Sequence, residues 1–135
     1  MDLDCEEFRR WYSQAKHTSD LIDTDIVNEG YDWACFKAQQ AGEMALKSVL
    51  KAVGRDSFGH GLLRLYRDCT GIIGDDPDIM GRVSFLDKFY MTPRCPAVFT
   101  EGSPWEHFTK GDATLAKDAA EKILAWAVEK FEACL

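Results

Sequence analysis

The 135-residue sequence lacks any apolar run approaching the roughly 20 residues that a membrane span requires. Its first residues, MDLDCEE, have neither the basic start nor the apolar run of a secretory signal. We therefore expect a cytoplasmic protein. The length fits a single domain over residues 1–135, long enough to bury a core without disulfides or metals.

An excess of positive charge is also missing. Sixteen Lys and Arg residues stand against 23 Asp and Glu residues, which gives a formal net charge of −7. Because a polyanion is attracted by a net excess of cations or by a basic face, we expect no non-specific DNA binding. A local pocket, in which one or two arginines bind a mononucleotide or a single RNA strand, remains compatible with this charge.

The cysteines lack the paired C-x-x-C spacing of metal and redox motifs. They are odd in number and lie far apart: Cys5, Cys35, Cys69, Cys95 and Cys134. This pattern indicates neither a disulfide framework nor a zinc knuckle, and we expect reduced thiols that are mostly buried as small apolar residues. The sequence predicts no metal site and no cofactor.

Strand-like alternation is absent, whereas apolar residues recur at helical spacing over five segments. The segments are residues 4–23, 29–53, a third that ends at 73, 78–90 and 111–134. The second is rich in alanine and apolar over much of its circumference, which predicts a central helix that ends before Gly54. Prolines interrupt residues 91–109. The fold class predicted is all-α, an up-and-down bundle of four to five helices with a long Pro-rich loop before the last helix.

Several segments together resemble the HEPN family. They are YDWACFKAQQAGEMALK on the second helix (residues 31–47), Gly59-His60-Gly61-Leu62 at the start of the third, and FYMTPRCP (residues 89–96), which is similar to the family's Tyr…Thr-Arg…Pro segment. The resemblance covers nearly the whole chain. This chain reads Arg94-Cys95-Pro96-Ala97 where the family commonly has Arg-Tyr-Pro-Asp.

The resemblance implies a helical bundle that forms a homodimer and is often encoded beside a small nucleotidyltransferase, as in toxin–antitoxin pairs. It also implies nucleotide binding or, in some branches, RNA cleavage. We expect a nucleotide-binding or partner-binding domain without catalysis of its own. The alternatives are a metal-independent endoribonuclease and a helical domain that only binds other proteins.

Four residues are the candidate ligand contacts: Arg94, His60, Tyr90 and Thr92. The guanidinium of Arg94 suits a phosphate, but it equally suits a helix end. His60 has no neighbouring carboxylate or serine in sequence, so it is a capping or packing histidine or, in the endoribonuclease alternative, the group that transfers a proton.

Other polar positions leave alternatives open. Arg55 and His60 have the spacing of the Arg-His pair in ribonuclease branches, and so do Arg10 and His17, but neither pair lies on the later helices that carry it there. On the central helix, Glu43 and Lys47 predict an ordinary ion pair between residues four apart.

Gln39 and Gln40 interrupt the apolar side of that helix. We expect them to face one of three environments, which are a dimer contact, a polar pocket and solvent. An aromatic cluster at Trp105, His107 and Phe108 suits either base stacking or attachment of the loop to the core.

Overall fold

The computed structural model describes residues 2–135, which form helices and connecting loops and contain no strand. The six α-helices are α1 (Cys5–Asp20), α2 (Ile22–Val27), α3 (Tyr31–Ala52), α4 (Leu62–Ile73), α5 (Pro77–Leu86) and α6 (Lys110–Glu129). The predicted all-α bundle is confirmed. None of the helices within residues 2–135 is both long and apolar enough to cross a membrane.

Helix α3 is the centre of the bundle, as its composition predicted. It packs against α1, α4 and α6, and its alanines are fully buried: Ala34, Ala38, Ala41 and Ala45. Small side chains allow the neighbouring helices to approach closely, while Leu46 and Leu50 fill the core beside them. Full burial of one such leucine stabilises the fold by about 1.5–3 kcal/mol.

Most helix ends follow local capping chemistry. Gly54 has a φ of +70°, and its N–H donates to the Lys51 carbonyl at 3.1 Å, so the predicted glycine stop is present. The Asp76 side chain accepts N–H bonds from Asp78 and Ile79 at the start of α5. The first predicted helix is divided, because α1 ends at Asp20 and α2 begins at Ile22.

The loop between α5 and α6 is irregular, as the prolines predicted, and it contains short 3-10 turns at Pro96–Val98 and Pro104–His107. Phe108 is buried, 5.8 Å between ring centroids from Phe89, so this ring attaches the loop to the core. His107 stacks on Phe99, whereas Trp105 is exposed.

The expectation of reduced thiols is wrong for two of the five cysteines. Cys5 and Cys134 form a disulfide that joins the start of α1 to the segment after α6, across 129 positions of sequence. Arg9 donates to the Cys134 carbonyl at 2.6 Å beside it. Spacing along the chain cannot show that its two ends meet. Cys35 and Cys69 are free and buried as expected, and Cys95 is free and half-buried.

Candidate functional site

Three of the four predicted ligand contacts meet where the residues before α4 approach the loop after α5. The imidazole of His60 stacks on the Tyr90 ring, with 4.4 Å between centroids and 13° between planes. The Arg94 guanidinium lies 4.8 Å from the centre of the Tyr90 ring and 4.0 Å from that of Phe36, on α3. His60, Tyr90 and Arg94 therefore form one cluster, to which Phe36 contributes a ring that the sequence did not single out.

Arg94 is held by its own loop. Its Nε and Nη2 donate to the Tyr90 carbonyl at 3.0 and 2.6 Å, so one edge of the guanidinium is occupied. The planar group stacks on the two rings, as arginine does on aromatic faces. The side chain remains exposed, and within residues 2–135 its Nη1 donates no hydrogen bond. An arginine fixed in this way loses little conformational entropy when it binds an anion.

Glu43 of α3 is, after Phe36, the second member of the cluster that the sequence did not assign to it. Its side chain is only 1% exposed. One carboxylate oxygen lies 3.0 Å from Nδ1 of His60, and the other accepts from Nζ of Lys47 at 3.2 Å. The ion pair with Lys47 was expected from the spacing of four residues, and the structure shows that it lies in the interior. The sequence contained one sign of this buried polar contact. Gln39, Glu43 and Lys47 lie at intervals of four on a helix that is otherwise rich in alanine.

This contact fixes the chemistry of the His60 ring. Because Glu43 accepts the hydrogen bond at Nδ1, neutral His60 carries its proton there and presents Nε2 as an acceptor. The histidine side chain is 52% exposed, so a ligand can reach it. Sequence reasoning found no carboxylate near His60, because the carboxylate lies 17 positions earlier, on α3.

The backbone at His60 is held by the two glutamines. Gln39 is buried and donates to the His60 carbonyl at 3.2 Å, and Gln40 donates to the Gln39 side chain at 2.7 Å. The Gln39 side chain therefore lies in a polar environment, in which both its amide nitrogen and its amide oxygen are hydrogen-bonded. A buried amide with both partners in place favours one position of the loop.

The remaining candidates lie outside this contact network. The Thr92 hydroxyl donates to the Lys88 carbonyl at 2.8 Å and closes the turn, so it does not contact the His60–Arg94 cluster directly. Arg55 donates to the carbonyl of Asp68, within α4, and is not directed at His60. Arg10 forms an ion pair with Glu7 on α1. No group of three or more His, Cys, Asp and Glu side chains suited to a metal occurs within residues 2–135.

The structure is similar to several solved proteins. It matches the Thermus thermophilus protein TT1696 with a TM-score of 0.89 and 35% sequence identity, covering 97% of this chain and 100% of that one. It matches ST0689, an archaeal HEPN homologue, with a TM-score of 0.77 and 31% identity, covering 91% and 96% of the two chains. An HEPN domain protein from Thermotoga maritima shares the fold at 24% identity, with a TM-score of 0.74 and coverage of 91% and 98%.

A comparison with curated proteins gave no match. Residues 8–131 match the family model of the HEPN domain, which is most of the chain. The structural relatives described as HEPN proteins agree with this match in fold and in coverage. The chain therefore belongs to the HEPN family.

Proposed function

We propose that the His60–Arg94 cluster binds a nucleotide through its phosphate. The observation that carries this proposal is the Arg94 guanidinium, which is stacked on Phe36 and Tyr90 and held at one edge by the Tyr90 carbonyl. The free edge offers Nη1 and a second proton on Nη2, which together suit two oxygens of a phosphate group. A local cation of this kind is compatible with the net negative charge, because it acts over a few ångströms.

Two further groups fit a nucleotide at this place. Nε2 of His60 is available to accept a hydrogen bond from a ribose hydroxyl or a base, since Nδ1 is bonded to Glu43. Trp33 is 51% exposed and lies edge-on to Phe36, 6.2 Å between centroids. An exposed aromatic ring beside a phosphate-binding cation suits the stacking of a base. Thr92 supports the site indirectly, by closing the turn that carries Arg94.

In the same proposal, the protein acts by binding other molecules and does not catalyse a reaction itself. Membership of the HEPN family and the exposed Trp33 ring beside Phe36 support a homodimer that acts with a small nucleotidyltransferase. In that arrangement the site holds a nucleotide, or the nucleotide-bearing partner, while the partner carries out the chemistry.

Thermal melting with added nucleotide tests the binding proposal. A ligand present at about 100 times its Kd stabilises the folded protein by about 2.7 kcal/mol, which raises the Tm by several degrees. We expect ATP to raise the Tm, the rise to vanish in Arg94→Ala, and Arg94→Lys to retain only part of it because lysine cannot offer a planar fork.

Arg64→Ala is the matched control, since it removes the same charge from an exposed position on α4. No Tm shift with ATP, ADP or AMP would refute the proposal, as would an unchanged shift in Arg94→Ala.

One observation favours a second function, metal-independent RNA cleavage. Glu43 holds the His60 ring with Nε2 available as a base, an arrangement that suits proton transfer. Nε2 would take the proton of a ribose 2′-hydroxyl as its oxygen attacks the neighbouring phosphorus. The bond to the 5′-oxygen would break as that oxygen takes a proton from water, and His60 would then return its own proton to the solvent. Single-stranded RNA incubated with a chelator then gives products that His60→Ala abolishes. RNA that stays intact excludes this function.

A further inference from the structure

The residues that follow α5 form a short strap, residues 86–90, with two different faces. A 3-10 turn spans Asp87–Phe89, and Tyr90 follows it directly. Because a 3-10 helix has three residues per turn, side chains three positions apart lie on the same face. Leu86 and Phe89 are buried and share the face that packs into the core. Asp87 and Tyr90 are half-buried and share the other face.

Asp87 caps α4 from this strap. Its Oδ1 accepts the backbone N–H of Leu62 at 2.8 Å, across 25 positions of sequence. Leu62 is the first residue of α4, and the N-cap residue Gly61 has no side chain that could accept a free N–H. A carboxylate at this end of a helix also suits the helix dipole. The cap that α4 lacks in its own sequence therefore comes from another element.

Tyr90 contacts the same turn of the chain. Its ring stacks on His60, with 4.4 Å between centroids. Side chains of α3 also hold the turn at His60, but they do not join it to the strap. In the part of the chain that the structure describes, the bond of Asp87 is the one hydrogen bond between residues 54–62 and residues 86–96. Asp87 therefore supplies the polar contact, and Tyr90 the aromatic contact, between the two halves of the candidate site.

We propose that Asp87 is a positioning residue of the candidate nucleotide site, which holds the His60 turn at a fixed distance from the strap. This inference rests on the proposed function and deepens it, because the strap carries Tyr90 and leads to Arg94. Nε2 of His60 and the guanidinium of Arg94 are then two contact points with a fixed separation. A ligand that contacts both points finds them already ordered, which favours its binding.

This role predicts a difference between two ligands. Inorganic phosphate can contact the Arg94 fork alone, whereas AMP also has a ribose and a base that can reach Nε2 of His60. The segment that carries Arg94 is attached to the core by Phe89, and its turn is closed by the Thr92 hydroxyl. Loss of the Asp87 cap should therefore weaken AMP and leave phosphate unchanged. A general loss of structure would weaken both ligands.

Proton NMR of the full chain tests the geometry. The ring current of an aromatic side chain shifts the protons of an imidazole stacked on it upfield. His17 is exposed on α1 and gives the reference positions, and His107, which stacks on Phe99, is the internal control. We expect upfield-shifted His60 signals in the wild type, which His60→Ala identifies by their absence. In Asp87→Ala they should move toward the His17 positions, while the His107 signals stay unchanged.

Three further variants make this test specific. Asp87→Asn keeps an oxygen that can accept the Leu62 N–H, so it should retain the His60 shift without the charge. Asp76→Ala is the matched control, because it removes the carboxylate that caps α5 and should leave His60 unchanged. Asp87→Ser replaces the alanine variant if that one fails to fold, and it should also move the signals. His60 signals that stay in place in Asp87→Ala or Asp87→Ser would overturn the proposal, as would an equal movement in Asp76→Ala.

Titration with AMP and with inorganic phosphate, followed by the NMR signal of the Arg94 Nε–H, measures the effect on binding. We expect AMP to bind about tenfold more weakly to Asp87→Ala, as for the loss of one hydrogen bond, and phosphate to change by less than about twofold. Equal weakening of both ligands would overturn the positioning role. A wild type that binds neither ligand would refute the proposed function, and the His60 signals would then decide the role of Asp87. Unchanged AMP binding in Asp87→Ala would refute that role and leave nucleotide binding intact.

Discussion

Glu43 and His60 are in direct contact, with 3.0 Å between a carboxylate oxygen of the buried glutamate and Nδ1 of the exposed histidine. The other carboxylate oxygen bonds to Lys47. A buried charge is tolerated when its partners satisfy it, and the removal of one partner leaves the other unpaired in the interior. The contact therefore links the stability of α3 to the position of the candidate site.

Glu43→Ala should lower the free energy of unfolding by about 3–5 kcal/mol, because Lys47 then keeps a buried charge without its partner. Glu43→Gln should cost less, since it keeps the side-chain shape and one acceptor. Urea denaturation measures both. Asp20→Ala is the control, because it breaks the exposed pair with Lys16 and should cost below about 1 kcal/mol. Equal losses in the two alanine variants would show that burial of the Glu43 pair is unimportant.

Cys5→Ser should destabilise the protein by about 2–5 kcal/mol, because the disulfide to Cys134 restricts the unfolded chain over nearly its whole length. Addition of a reductant to the wild type should have the same effect and should not change Cys5→Ser further. The free energy of unfolding in urea, measured with and without reductant, checks both statements. Cys95→Ser changes a free, half-buried thiol and should leave stability nearly unchanged. Wild-type stability that is insensitive to reductant contradicts the prediction.

The protein should lose stability at alkaline pH through its buried thiols. Burial raises the pKa of Cys69 and of Cys35 from the ordinary 9.0 to about 12. The folded state therefore keeps these protons where the unfolded state releases them, so the stabilisation is complete below pH 9 and is lost as the pH rises toward 12.

Cys69→Ala should make the decline of the unfolding free energy between these pH values shallower, because one of the two buried thiols no longer titrates. Urea denaturation across the alkaline range measures the slope, with Cys95→Ala as the control. A slope that Cys69→Ala leaves unchanged argues against the role of this thiol.

Gly42→Ala should stabilise the protein by about 0.5–1 kcal/mol, even though Gly42 is buried in the middle of α3. An added Cβ would lie 3.5 Å from Leu86 and 3.7 Å from Ile123, which is ordinary van der Waals contact. Gly54→Ala is the opposite case. Space is free around Gly54, but its φ of +70° strains any residue with a Cβ, so this variant should be destabilised. Thermal melting of the two variants compares them, and a destabilised Gly42→Ala shows that the packing there is tighter than the distances indicate.

The sequence by itself determined the helices, because their signals are local. Alanines at helical spacing identified α3, and Gly54 identified its end. The prolines of residues 91–109 identified the irregular loop. The same local strings carried the resemblance to the HEPN family, which the family match confirmed. The small errors, such as the break between α1 and α2 beside Leu21, concern helix ends, where single capping contacts decide the backbone.

Only the tertiary structure decided which distant residues meet. The contacts of Glu43 with His60 and of Cys5 with Cys134 span 17 and 129 positions, and each depends on how whole helices pack. The sequence singled out Arg94, but the packing placed its guanidinium on the Phe36 ring of another helix. Helical periodicity reports which side of a helix is apolar and contains no information about the partner on that side. The fold was therefore readable from the chain, whereas the candidate site was formed by the packing of α3 against the residues before α4 and the loop after α5.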